Sequence, residues 1–422
     1  MANLIEKIYI IFLSIIPLSI IIGPSVSLIN FIILGIIYLY FFFKFKHYDF
    51  LLKNNTIKIL FVLYLYLIFN SLISLNFEIS AFRNFGFLRL ILIFLSINYL
   101  FHINQKNTKI FNFWMIILLI FIFDVYFERI NGANIFGWGA TFIDGVEQIH
   151  ATRVVSFFKD EPIAAGFING FVFLILGQIL NILKNYKFEK IIFLVVLLIF
   201  FFSVLITGER SNTIKALFGL LLFINLIKIF DLRSKFIFLI ILPITAMIIM
   251  FNSDYLKNRY YGQIFSKIYT EKKFQNLENN IYIKLYKSGF AVFKNYPLMG
   301  VGNKNYRIET CGNQEKEMKN HYICLTHPHQ VYFEFLSEHG LIGTLLLVSL
   351  FFVLIFQYLK VIILSQNYLQ IGAFTFLITN FLPLIPSGSF FSDFNISLFI
   401  LNLSILYAVN KKTNVFFNKK NL

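Results

Sequence analysis

Charge is scarce in this chain. Asp, Glu, Lys and Arg make up 14% of its 422 residues, and acids are the scarcer sign, 21 against 37 Lys and Arg. With 58% hydrophobic residues, a solvated globular domain is excluded and a polytopic membrane protein is indicated. Histidine is rarer still, with seven, and cysteine stops at two. Internal repeats and low-complexity linkers are missing. So are a carboxylate pair for glycosidase chemistry, a Ser-His-Asp signature and a cytoplasmic nucleotide motif. The N-terminus lacks a small-residue cleavage site, so Ile8 to Ile22 reads as a first membrane helix rather than a removed signal.

What is present is apolar sequence in lengths that fit a bilayer, roughly 20 residues per helix. The expectation is an all-α polytopic protein of about twelve membrane helices: 8–22, 26–43, 57–75, 86–101, 110–126, 163–183, 191–207, 213–228, 236–251, 340–358, 368–385 and 394–409. Short-loop lysines and arginines alternate sides along this register. Lys44, Lys46, Lys53, Lys58, Lys106, Lys109, Lys184, Lys187, Lys190, Lys228, Arg233, Lys235, Lys411, Lys412, Lys419 and Lys420 fall on one side. The other short loops hold little beyond Arg83 and Arg210. Both termini are therefore expected in the cytoplasm. The net charge of +16 reads as positive-inside charge dispersed over helix ends, not as a nucleic-acid surface.

Two outer segments are too long to be connectors, Phe127 to Pro162 and Asn252 to about Glu338. The division expected is helices one to nine over 1–251, a helical external subdomain over 252–338 between spans nine and ten, and helices ten to twelve with a tail over 339–422. Both cysteines, Cys311 and Cys324, lie in the large loop and are expected to pair in an oxidising compartment. The competing reading is a metal site of Cys324, His327 and His329, whose spacing fits no common zinc pattern.

The residues able to do chemistry gather on the outer side. Four of the seven histidines lie between His321 and His339. In Thr326 to Gly343, Pro328 suits a first helical turn. His329 would then sit near the positive end of the helix dipole, which would keep its imidazole neutral, as a general base requires. The competing reading is a surface histidine without a task. Arg210, in the turn Thr207-Gly-Glu-Arg-Ser-Asn212, offers a fork suited to phosphate oxygens or snorkels to the headgroups. Arg89 interrupts the fourth span, which marks a functional arginine or a pair with Asp124. Arg153 is an anion contact or a loop anchor. Pro297 to Gly302 is a tight glycine turn, of a kind that can cradle phosphate, followed by Asn305, Tyr306 and Arg307.

Taken in order, these motifs resemble the O-antigen ligase and polysaccharide polymerase family of bacterial inner membranes, in pieces from about Asp124 to Gly343. Asp124 to Gly137 is similar to its Asp-Gln-Gly approach to the first outer loop, with Glu128 in the glutamine's place. Arg153 to Ile163 resembles the arginine–Phe–Pro segment, and TGERSN the Thr-Gly-Ser-Arg turn with Glu209 at the serine. Phe290 to Asn305 resembles the PLxGVG segment and His329 to Gly343 the terminal histidine–Glu–Gly–Gly signature. An arginine expected some fifteen residues before Pro297 is replaced by Tyr282, so Lys284, Lys287 or Arg307 would supply that charge.

The resemblance implies a GT-C-like glycosyltransferase needing neither metal nor cofactor. Its donor would be a glycan on undecaprenyl diphosphate at the periplasmic face. By motif match Arg210 would bind diphosphate and His329 would activate the acceptor hydroxyl, with inversion at the anomeric carbon. Arg89, Arg153, Lys284, Lys287 and Arg307 would be further diphosphate contacts, and His327, Glu338, Gly300 and Gly302 supporting residues. The favoured reaction is ligation of O-antigen to lipid A core, ahead of polymerisation onto a growing glycan. A transporter of the same lipid is the rival class, against which stand the one-sided loop and the lack of paired halves.

Overall fold

The computed structural model describes residues 2–46, 54–139, 142–143, 146–147, 153–159, 161–266, 280–312 and 322–417. His321, Lys53, Lys419 and Lys420 lie outside these residues, as does the side chain of Lys106. Helices come first as α1 (Ala2–Ser14), α2 (Ile16–Ile22), α3 (Pro24–Lys44), α4 (Asn55–Leu72), α5 (Phe77–Phe85), α6 (Phe87–Ile103) and α7 (Ile110–Asn131). A two-rung ladder, β1 (Phe142–Ile143) with β2 (Val146–Glu147), interrupts them. The chain resumes with α8 (Ala164–Leu183), α9 (Glu189–Ile206), α10 (Arg210–Leu226), α11 (Leu232–Asn252) and α12 (Asp254–Leu256), then a π-helical stretch, Lys257–Ser266. It ends with α13 (Ile281–Asn295), α14 (Tyr306–Cys311), α15 (Val331–Phe356), α16 (Leu359–Ser365), α17 (Tyr368–Thr379) and α18 (Asp393–Ala408).

Among the described residues, eight helices are long and apolar enough to cross a membrane, or nine if the bent pair α1 and α2 is one span. That is fewer than the twelve expected. The three expected spans outside this count correspond to α10, α17 and α18, of 17, 12 and 16 residues, at or below the short end of the roughly 17 to 25 residues that cross a bilayer. α17 and α18 are buried along nearly their whole length. The bend of 49° between α1 and α2 falls at Ile15, two residues before Pro17, which has no N–H to continue the hydrogen-bond ladder across it.

α8 and α17 form the centre, and two glycines set their spacing. A Cβ on Gly177 would overlap the backbone of Tyr368, and one on Gly372 the backbone of Phe173. Only glycine lets the two main chains approach this closely. α18 packs on α6 and α17, so the C-terminal helices complete the N-terminal bundle rather than standing apart. A small second cluster of Val292, Val301, Tyr306 and Tyr322 lies between α11 and α15, in the same segment as the disulfide between Cys311 and Cys324.

α15 is broken where the loop docks on it. Gly340 has φ 64° and ψ −169°, outside helical values. The Pro297–Gly302 turn fills the break through four backbone bonds. Val301 N donates to Ser337 O at 3.0 Å and Gly302 N to Glu338 O at 2.8 Å, while Leu341 N donates to Pro297 O at 2.8 Å and Ile342 N to Leu298 O at 3.1 Å. A Cβ on Gly300 or Gly340 would overlap the opposing backbone. The Pro297–Gly302 turn and the histidine–Glu–Gly–Gly stretch are thus one tertiary unit.

Candidate active site

The end of α9 decides where three arginines go. The last carbonyls of a helix have no intrahelical donor, and here each finds one from a different segment. Leu205 O accepts from Tyr260 OH at 2.9 Å and Ile206 O from Arg129 Nε at 3.1 Å. Thr207 O accepts from Val154 N at 3.1 Å and Gly208 O from Arg259 Nε at 3.0 Å. Arg259 is therefore tied to the turn directly and Arg153 through its neighbour, while Arg210 opens α10 just beyond. Asp124 and Glu128, one turn apart on α7, fix the Arg153 loop from below. Glu128 accepts from Val155 N at 3.0 Å and Ser156 N at 2.6 Å. Asp124 accepts from Ser156 Oγ at 2.6 Å and Ile135 N at 3.0 Å.

These arginines line one side of a cavity of about 570 Å³ that also holds Lys215, Lys304, His327, His329 and Tyr282. Helices α8, α10, α15 and α18 all begin at its wall, through Gly166, Arg210, Val331 and Asn395 among others. Helix N-termini carry partial positive charge and unpaired amides, which favour an anion. Burial, with Arg210 and Arg153 close by, holds the Arg259 guanidinium below its ordinary value. Two carboxylates share the cavity with them, Glu161 and Glu209. Burial pushes Glu209 up to about 7, against hydrogen bonds from Ala165 N and Asn212 Nδ2 at 2.8 and 2.7 Å. It thereby joins the first turns of α8 and α10.

The opposite side is built from Thr326 to His329 and a loop at 386–390. The imidazoles of His327 and His329 lie 4.0 Å apart between ring centroids. His327 Nδ1 meets Thr326 Oγ1 at 2.9 Å, and its Nε2 lies 3.4 Å from Ser387 O. His329 O accepts from Ser387 N at 2.8 Å. Both imidazoles are held down at about 4, His327 by burial and then Lys304, His329 by burial and then His327. His329 does not sit in the first turn of a helix, where its sequence places it. α15 starts at Val331, and Gln330 caps it through Tyr332 N and Phe333 N. His329 precedes that cap with φ 56°, a left-handed conformation rare outside glycine and often stored at functional sites. Its neutrality comes from burial, not from the dipole.

Other expected residues lie elsewhere. Arg89 pairs with Asp393 at 2.5 Å, a carboxylate it shares with Arg83 at 2.6 Å, so neither the cavity nor Asp124 is its partner. Lys284, Lys287 and Arg307 are exposed and do not line the cavity. The charges found in their stead are Arg259 and Lys304, with Tyr282 present as itself, its ring 6.3 Å from His329. The Gly300–Gly302 turn cradles no anion, because its amides serve the docking on α15 and the bond from Gly300 N to Tyr296 O. Glu338 is buried under the same turn and accepts from Tyr306 N at 3.4 Å. His339 is a core residue against Tyr66, Phe335 and Phe391. Cys324 is bonded to Cys311, so it offers no thiolate to a metal.

Residues 193–348 match the model of the family described as O-antigen ligase. The finding supports placing the chain in the O-antigen ligase and polymerase family, and with it a glycosyltransferase-like integral membrane enzyme. No curated protein matches the chain. The matched stretch contains Arg210, Arg259, Tyr282, Lys304, His327 and His329, and it excludes Arg153 and the 386–395 wall.

Proposed function

We propose that this protein is a glycosyltransferase of the bacterial inner membrane that moves a glycan from undecaprenyl diphosphate to an acceptor hydroxyl, as an O-antigen ligase acting on lipid A core. The observation that carries the reading is one cavity with Arg153, Arg210 and Arg259 on one side and two neutral imidazoles on the other. Diphosphate is a charged leaving group, and guanidinium forks at helix N-termini are the groups that stabilise it as it departs. The acceptor oxygen attacks the anomeric carbon from the opposite face, the carbon–oxygen bond to phosphate breaks, and His329 takes the hydroxyl proton. Inversion follows from that geometry, and no step calls on a metal or cofactor. A largely apolar recess of about 370 Å³, walled by Ile20, Pro24, Phe157 and Phe158 with Lys159 and Asp393 also in its lining, adjoins the charged cavity through Glu161, Ile163 and Phe394, and its apolar wall suits the first isoprene units of the carrier. In this reading the architecture is GT-C-like with α10, α17 and α18 completing twelve crossings, both termini are cytoplasmic by their lysines, and 252–338 is a periplasmic subdomain.

Two experiments test it. The purified chain, given a lipid-linked donor, should release undecaprenyl diphosphate and lengthen the acceptor. Deleting the gene should abolish lipid A-linked polymer while long carrier-linked chains persist. Single repeat units alone on the carrier would instead identify a polymerase.

A further inference from the structure

Lys304 has no part in the chemistry above, yet the fold constrains it strongly. It has φ 64°, a backbone region in which a side chain is strained. The strain is pinned on both sides. Asn303 N donates to Asn70 Oδ1 at 2.8 Å and its Nδ2 to Asn84 Oδ1 at 2.5 Å, while Asn76 N donates to Asn305 Oδ1 at 2.7 Å. Nζ of Lys304 donates to Ser389 Oγ, and Ser389 Oγ donates in turn to Glu334 Oε1 at 2.5 Å. Glu334 is fully buried, and its Oε2 accepts from Phe390 N at 2.9 Å. A buried carboxylate is unfavourable by several kcal/mol unless its oxygens are satisfied. Here both are, and neither is used by the lysine directly.

The ammonium has three donors, of which Ser389 takes one. Its charge acts through space on Glu334, Glu338 and Asp393, but among the described residues Lys304 stands within ion-pair distance of none of them. It lines the cavity, and it belongs to the histidine side by its bond to the 386–390 loop, which also holds His327 and His329. The opposite side already offers three guanidiniums for a diphosphate. An anion bound at Lys304 would therefore belong to the molecule that enters beside His329.

We infer that the acceptor is itself anionic near its accepting hydroxyl, carrying a phosphate or carboxylate that Lys304 binds. This rests on the transferase reading of the cavity, but its test does not need turnover. Ligand-observed NMR on the detergent-purified full chain would compare binding of glucose, glucose 6-phosphate, glucuronate and inorganic diphosphate. An anionic sugar should bind about tenfold tighter than glucose, the scale of one hydrogen bond to a charged group. Tighter glucose 6-phosphate identifies a phosphate acceptor, and tighter glucuronate a carboxylate one. Lys304→Gln should erase the preference and leave glucose and diphosphate binding unchanged, while Lys304→Arg should keep it. If Lys304→Gln disturbs folding, Ser389→Ala serves in its place and should reduce the preference. The inference is overturned if the wild type binds all three sugars alike, or if Lys304→Gln weakens diphosphate instead. The transferase reading fails separately, if the wild type transfers no glycan from any lipid diphosphate.

Discussion

The two sides of the cavity solve opposite electrostatic problems. The arginine side concentrates like charge. Arg153, Arg210 and Arg259 come from segments about fifty residues apart, and they converge because the end of α9 needs donors from each neighbourhood. The histidine side suppresses charge. His327 is buried and His329 half-buried against it, and His329 is held in left-handed backbone by Ser387 N. A cavity that must grip an anion while keeping a proton acceptor empty needs both environments within one volume. Burial acts on both: it gathers the guanidiniums, which cannot deprotonate, around Glu209, and it discharges the imidazoles.

The comparison breaks most sharply at His329. His329→Ala should lower kcat for glycan transfer by roughly 10²- to 10⁴-fold, the range for losing a general base, with donor binding unchanged. Full activity would remove the histidine side from the chemistry. The pH profile sharpens the same point. Because His329 is held at about 4, it stays neutral as pH falls through the 6.5 of a free imidazole. Transfer by the wild type should thus decline only toward pH 4, and a midpoint near 6.5 would overturn the burial account.

On the arginine side, Arg210→Lys keeps the charge and loses the fork. A fall of about tenfold or more in kcat/KM for the donor is expected, and unchanged kcat/KM would argue against bidentate binding. Glu209 gives a smaller effect with a definite sign. It protonates as pH falls through about 7, which makes the arginine cluster more positive. Binding of inorganic diphosphate should tighten from pH 8 to 6 by more in the wild type than in Glu209→Gln, and equal slopes would exclude Glu209 as the titrating group. The smallest changes in transfer are expected outside the cavity. Replacing Cys311 and Cys324 by Ser should lower stability by about 3 kcal/mol on the chain-entropy scale for this loop, read as a drop in Tm. Arg307→Ala should leave transfer within about twofold, the scale of an exposed side chain without a role.

The residues missed by sequence reasoning share one physical trait. Arg259 sits in a polar π-helical stretch with no apolar period to orient it, and its importance is a bond to Gly208 O. Lys304 reads as an ordinary loop lysine between two asparagines. Glu334 reads as one more helix acid until its partners, Ser389 and Phe390 N, are seen more than fifty residues away. Arg89 fails in the other direction, because a membrane arginine advertises function and here finds Asp393 from α18.

The sequence by itself determined a helical membrane protein and the two segments, TGERSN and the histidine stretch, that meet in the cavity. Local composition is enough for those, since hydropathy and spacing are written within a few turns of chain. The number of helices long enough to cross, the state of His329 and the identity of the second and third arginines were decided only in three dimensions. Burial, helix-end hydrogen bonds and the docking of Pro297–Gly302 into the break at Gly340 are contacts between distant segments, and no local pattern records them.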